Sequence, residues 1–163
     1  KTERAFEELK RQFQQREIKK KYLALVHGEV VKDTGDIRFK LARSTTKGRM
    51  AARPDTDATE GKAAWTHYTV LERLPHASLL AVDIFSGRTH QIRAHLFALG
   101  HPVVGDTLYL KRNTDRRHEA PRLMLQSTDL AFIDPITKEP RTFHLDPDPA
   151  FKTLMDAWRL RKA

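Results

Sequence analysis

The sequence predicts an α+β fold, with a mixed or largely antiparallel sheet flanked by helices. Three observations lead there. Strand-like segments follow one another in hairpin-like succession, at 22–31, 37–41, 64–71, 78–85, 123–133 and 142–145. Helical patterns occur near the two ends and once between, so the strand–helix alternation of a doubly wound sheet is missing. No repeat, low-complexity tract or linker divides the 163 residues, which read as a single domain spanning 1–163.

Each element has a local reason. Thr2 can cap a helix running to about Arg16, with Phe6, Leu9 and Phe13 spaced along one apolar face. Tyr22–Val31 is β-rich and reads as a buried strand; Asp33-Thr34-Gly35-Asp36 reads as a turn before a short strand at Ile37–Leu41. Residues 42–61 are polar and turn-rich, which predicts a long loop. Ala64–Leu71 and Ser78–Phe85 form a predicted hairpin. Ser86-Gly87 then turns the chain into a helix at about Thr89–Leu99, with Ile92, Leu96 and Leu99 facing inward and Gly100 as a left-handed C-terminal cap. Residues 111–121 are a second polar loop. Leu123–Ile133 and Thr142–Leu145 flank an Asp134-Pro135 turn. Asp148-Pro149 starts the last helix, whose buried face is Phe151, Leu154, Met155 and Trp158.

Composition narrows the function. The chain is 39% hydrophobic and 31% charged, the balance of an ordinary soluble globule. Cysteine is absent, which excludes a disulfide scaffold and thiolate metal sites. No apolar run approaches the roughly 20 residues of a membrane span, and no signal-peptide pattern is visible; a cytoplasmic location and a monomer are expected. Lys and Arg number 30 against 21 Asp and Glu, a net charge of +9 that favours a polyanionic partner, most commonly nucleic acid. The basic residues gather in predicted loops and element ends, at 16–21, 38–53, 111–117 and 159–162.

The densest polar stretch is Gly87-Arg88-Thr89-His90-Gln91-Ile92-Arg93-Ala94-His95-Leu96. It packs two arginines, two histidines and a glutamine onto a turn and the start of a helix, a density that a core helix does not need. Several chemistries can be set aside. There is no phosphate-binding Gly-rich loop and no G-x-S-x-G nucleophile turn. His90 and His95 are five apart and do not share a helical face as a zinc pair would. Arg93 falls at the flank of the Ile92–Leu96–Leu99 face. Its stem can be buried with the guanidinium aimed into a cleft, where it needs a carboxylate or phosphate partner. The alternative is a surface Arg lying over the helix flank.

This stretch, followed by Leu99-Gly100-His101-Pro102-Val103-Val104-Gly105-Asp106, resembles the signature of the RluA-type pseudouridine synthases. Three further segments agree in order and spacing: Lys20–Gly28 with the family's Tyr-bearing strand, Gly61–Thr66 with its G-K-x-A-x-T segment, and Arg122–Leu125 with its late apolar strand. The resemblance implies the pseudouridine synthase fold and the isomerisation of uridine to pseudouridine in ribosomal or transfer RNA, with no metal and no cofactor. It implies that Arg93 pairs with the family's essential Asp and that Tyr22 is the active-site Tyr. Leu125 would pack near the target base, and Arg88, His90, Gln91 and Lys62 would face the substrate. The family commonly has His-Ala where this chain has Gln126-Ser127. The essential Asp belongs to an H-R-L-D-x-x-T-S-G segment that is not among these residues, which begin on Lys1 rather than Met. The expectation is therefore an N-terminally incomplete catalytic domain, inactive by itself. The competing expectation is a non-catalytic RNA-binding module on the same fold.

Overall fold

A computed structural model of the chain describes residues 2–46, 48–56, 58–110 and 120–160. Helix α1 (Glu3–Gln14) leads into strands β1 (Lys19–His27), β2 (Thr34–Arg43), β3 (Met50–Pro54), β4 (Lys62–Leu74) and β5 (Ala77–Ile84). Helix α2 (Gln91–Ala98), β6 (Leu125–Ile133), β7 (Pro140–His144) and α3 (Pro149–Arg159) complete the order. The strands form one sheet in the order β3-β2-β4-β5-β1-β6-β7, with every neighbouring pair antiparallel. The α+β class predicted from the sequence is the one observed.

β1 explains how the sheet is covered. Its run Leu23-Ala24-Leu25-Val26 is buried on both sides, so period-2 alternation sends side chains into two different cores. Leu23 and Leu25 join Leu74, Ala77 and Leu79 beneath Phe151, Met155 and Trp158 of α3. Ala24 and Val26 join Ile37, Tyr68, Leu80 and Val82 beneath Ile92 and Leu96 of α2. The start of α3 is built as its sequence indicates: the Asp148 side chain accepts the Phe151 N–H at 3.0 Å and Pro149 occupies the first turn.

The structure corrects the sequence reading in several places. The predicted loop at 42–61 contains β3, an edge strand whose Met-Ala-Ala-Arg-Pro sequence has little β-propensity. β2 begins at Thr34, inside the predicted turn. Gly35 is there for close approach: a Cβ at this position would lie 2.6 Å from the Tyr68 hydroxyl oxygen. Helix α1 is rotated from its expected orientation, with Phe6 and Phe13 at 63% and 56% exposure. The reason is Gln12, fully buried, which donates from Nε2 to the Ile133 carbonyl (2.8 Å) and accepts the Ile133 N–H at Oε1 (3.1 Å). That side-chain amide completes the end of β6, and two hydrogen bonds to part-buried backbone outweigh the local apolar pattern. Leu99 is likewise 40% exposed rather than inward-facing, while Gly100 takes the predicted left-handed conformation (φ 94°). The polar loop predicted at 111–121 falls largely outside the described residues.

Candidate active site

The turn Ser86–Thr89 delivers the chain into α2, and Gln91 holds that turn. Gln91 is buried, and its Oε1 accepts the Ser86 hydroxyl (2.8 Å) and the Arg88 N–H (3.1 Å). Its Nε2 donates to the Trp65 carbonyl and the Thr66 hydroxyl, both at 3.0 Å. The side chain ties β4 to the helix start, so the expectation that Gln91 faces a substrate is not met. The Thr66 hydroxyl in turn lies 2.9 Å from Nδ1 of His95, within hydrogen-bond distance.

His95 is fully buried on the inner side of α2, edge-on to Phe39. Burial lowers its pKa from 6.5 to about 4, so it is neutral near pH 7. The unfolded chain binds the extra proton between these two values. Stability is therefore complete above pH 6.5 and falls as the pH drops toward 4, by about 3 kcal/mol from this residue. Urea unfolding at pH 7 and pH 4.5 should show this slope in the wild type and a flatter one in His95→Gln. Equal slopes would contradict it.

His90, at the first position before α2, has a left-handed backbone (φ 54°) and makes no side-chain cap. Such a conformation is strained for a residue with a Cβ and is maintained by its surroundings. Here the imidazole Nδ1 lies 3.3 Å from the Tyr109 hydroxyl, which also accepts the Met50 N–H at 2.7 Å. Burial first, then the nearby Arg93 charge, lowers the His90 pKa. The imidazole tautomer sets which of the two groups donates in this contact.

Arg93 is paired side-on with Asp106: Nε donates to Oδ2 at 2.7 Å and Nη2 to Oδ1 at 2.8 Å. The Arg93 side chain is 18% exposed and that of Asp106 is fully buried. Oδ1 also accepts the backbone N–H groups of Leu108 and Tyr109, each at 2.9 Å. Burial alone would raise the Asp106 pKa; the Arg93 hydrogen bonds and the two backbone donors outweigh it and hold the carboxyl ionised. The guanidinium also lies 5.1 Å from the centroid of the Tyr109 ring. Among the described residues Nη1 has no hydrogen-bond partner. Of the alternatives left open from sequence (a carboxylate or phosphate partner, or a surface Arg), a carboxylate is found, and Asp106, which the sequence reading had left without a role, supplies it.

Gly105 makes this possible. Its φ is +75°, and a Cβ there would stand 2.0 Å from the Arg122 carbonyl oxygen. Both the backbone conformation and the close approach exclude a side chain, so the chain can pass Arg122 and deliver Asp106 under α2. Gly105→Ala should destabilise the fold by about 3 kcal/mol or more, through φ strain and overpacking together. A melting temperature within a degree or two of wild type would contradict that.

The remaining predicted site residues are spread along the α2-covered face. Tyr22 on β1 is half-buried and packs against the Ile92–Leu96 core, as does Leu125 on β6. Tyr22 faces Ser127 and Ala24 faces Leu125 across the two strands, and the ladder carries an irregularity between Lys21 and Tyr22. Bulges of this kind re-aim side chains and recur beside active sites. Lys62 opens β4, exposed, opposite Leu41, and Arg88 is exposed on the turn before α2. Lys20, half-buried with its pKa lowered by that burial, rests over the Phe13 ring and near Gly87. Arg93 and His90 share Tyr109; Tyr22 and Leu125 belong to the neighbouring cluster. Among the described residues no group of three or more His, Asp or Glu side chains could hold a metal ion, and no helix is long and apolar enough to cross a membrane.

The signature turn, the helix it opens and the strands beneath it fall largely within residues 1–98, which match the family model described as RNA pseudouridylate synthase. The chain belongs to the RNA pseudouridylate synthase family. Among its relatives in that family is the dual-specificity RNA pseudouridine synthase RluA of Haemophilus ducreyi, 40% identical over 147 residues, with 88% of this chain and 64% of the relative aligned. The protein of the same name from Haemophilus influenzae is 38% identical over 142 residues, covering 86% of this chain and 63% of the relative. The solved structure of human RNA pseudouridylate synthase domain containing 1 superposes with a TM-score of 0.78 at 32% identity, over 96% of this chain and 65% of that one. The chain therefore spans a little under two thirds of the length of these family members. Tyr109 and Thr66 hold the site together and were not singled out from sequence; Gly105-Asp106, at the end of the quoted signature, was the available signal for Arg93's partner.

Proposed function

We propose that this chain is the larger part of a catalytic domain that isomerises uridine to pseudouridine in ribosomal or transfer RNA. The observation that carries the reading is Arg93, fixed side-on by buried Asp106, with Nη1 left without a partner among the described residues. In the reaction the N1–C1′ bond breaks, the uracil turns, and C5 joins C1′. The proton lost from C5 is balanced by one gained at N1, so no oxidant, reductant or co-substrate is consumed. An Asp from the family's upstream segment acts as nucleophile. The Arg93 cation keeps that Asp ionised and oriented through the donors not used by Asp106.

The other assignments follow from position. The Tyr22 ring borders the target base, and its hydroxyl assists removal of the C5 proton. Leu125 lines the same apolar wall. Arg88 and Lys62, being exposed, meet backbone phosphates, and His90 faces the substrate. Gln91 positions the turn that carries Arg88. The target uridine is extruded from its RNA context to reach the site, and the surrounding structure is read through backbone and shape. Under this reading the protein works in the cytoplasm as a monomer, with neither metal nor cofactor.

The test uses RNA labelled with tritium at C5 of uridine, which is released to water when C5 forms its new bond. A protein containing this sequence together with an upstream Asp-bearing segment should release tritium. The chain by itself should bind the RNA and release none. Release by neither, with RNA binding intact, would support the non-catalytic module instead.

A further inference from the structure

We infer that Arg49 is a phosphate-binding residue that positions the RNA backbone beside the Arg93 site; this rests on the function proposed above. Arg49 sits at the tip of the β2–β3 hairpin, where its carbonyl accepts the Ser44 N–H and its own N–H reaches the Thr46 carbonyl, both at 3.1 Å. The backbone of the next residue, Met50, is pinned by the Tyr109 hydroxyl. The guanidinium lies 5.7 Å from the centroids of both Phe97 and Tyr109, two rings that meet each other edge to face.

Among the described residues nothing neutralises the charge of Arg49: its buried Nε has no acceptor there, and no carboxylate there pairs with its side chain. Arg93, on the same Tyr109 ring, is the contrasting case, with its charge matched by Asp106. A half-buried cation held by ring faces rather than by an acid keeps its terminal nitrogens for an external anion. An arginine fork fits a phosphodiester, and its planar group is already oriented before the RNA arrives. The same Tyr109 hydroxyl bonds to His90, so the hairpin tip and the start of α2 form one connected unit. A phosphate gripped at Arg49 is thereby placed at a fixed offset from Arg93.

The experiment measures binding of an unmodified, in vitro transcribed tRNA to the protein carrying its upstream segment, across a range of KCl concentrations. Arg49→Gln keeps a planar group that can rest on the two rings and removes the charge; Arg49→Ala removes both. For either variant the slope of log K against log salt should fall by about 0.7–0.9, the loss of one phosphate contact. Affinity at low salt should drop several-fold, and in tritium release the loss should appear in KM rather than in kcat. A slope equal to wild type would overturn the inference, whatever the change in affinity, because a purely structural clamp alters K without altering the number of ions released. If Arg49→Ala does not fold, Arg49→Gln decides. A wild-type protein whose affinity is independent of salt would instead overturn the RNA-directed function as a whole.

Discussion

Asp106→Ala should lower the stability of the fold by about 3–5 kcal/mol. The substitution strands the Arg93 guanidinium in a largely buried position and leaves the N–H groups of Leu108 and Tyr109 without their acceptor. An ion pair of this kind adds little net stability when intact, because desolvation offsets the attraction, but removing one partner exposes the full penalty of the other. Asp106→Asn keeps the shape and one acceptor, so it should cost less, about 2 kcal/mol. The double variant Arg93→Ala/Asp106→Ala should be less destabilised than the sum of its parts, since the stranded charge is gone. Urea midpoints at unchanged slope give these values directly. A loss below about 1 kcal/mol for Asp106→Ala would mean that the pair does not anchor α2.

The sequence was most legible where structure is decided locally. The Asp148-Pro149 start of α3, the hairpin of β4 and β5 and the Gly100 cap all depend on neighbours within a few positions, and each is found as read. The readings that failed depend on distant partners. The face of α1 is set by Gln12 reaching Ile133, 121 residues away, which no helical period encodes. β3 exists because an edge of β2 was available to pair, not because its own residues favour strands. Gln91 read as a polar group at a substrate-facing turn, but its amide is fully used by Ser86, Arg88, Trp65 and Thr66. The flank position of Arg93 allowed a carboxylate or phosphate partner or a surface Arg, and did not decide among them. Which acid meets it was not legible, because that depends on Gly105 letting the backbone pass Arg122.

The second large effect is expected on turnover, from Arg93 in the role proposed above. Its Nε and Nη2 are held by Asp106, so the guanidinium cannot swing, and Nη1 points its donors at a fixed place. A nucleophilic carboxylate brought there is kept ionised and aligned, and misplacement of a reacting group by about 1 Å already costs about 10²-fold in rate. Arg93→Lys keeps the charge but not the fork, so it should fail nearly as badly as Arg93→Ala. RNA affinity should change by no more than a few-fold, because phosphate contacts elsewhere supply most of it.

The decisive measurement is single-turnover tritium release from C5-labelled RNA by the protein with its upstream segment, wild type against Arg93→Ala, with RNA affinity measured on the same samples. The account predicts a rate lower by about 10²-fold or more with the RNA still bound. A near-normal rate for Arg93→Ala would contradict it, and would mean that the Arg93–Asp106 pair serves only the fold.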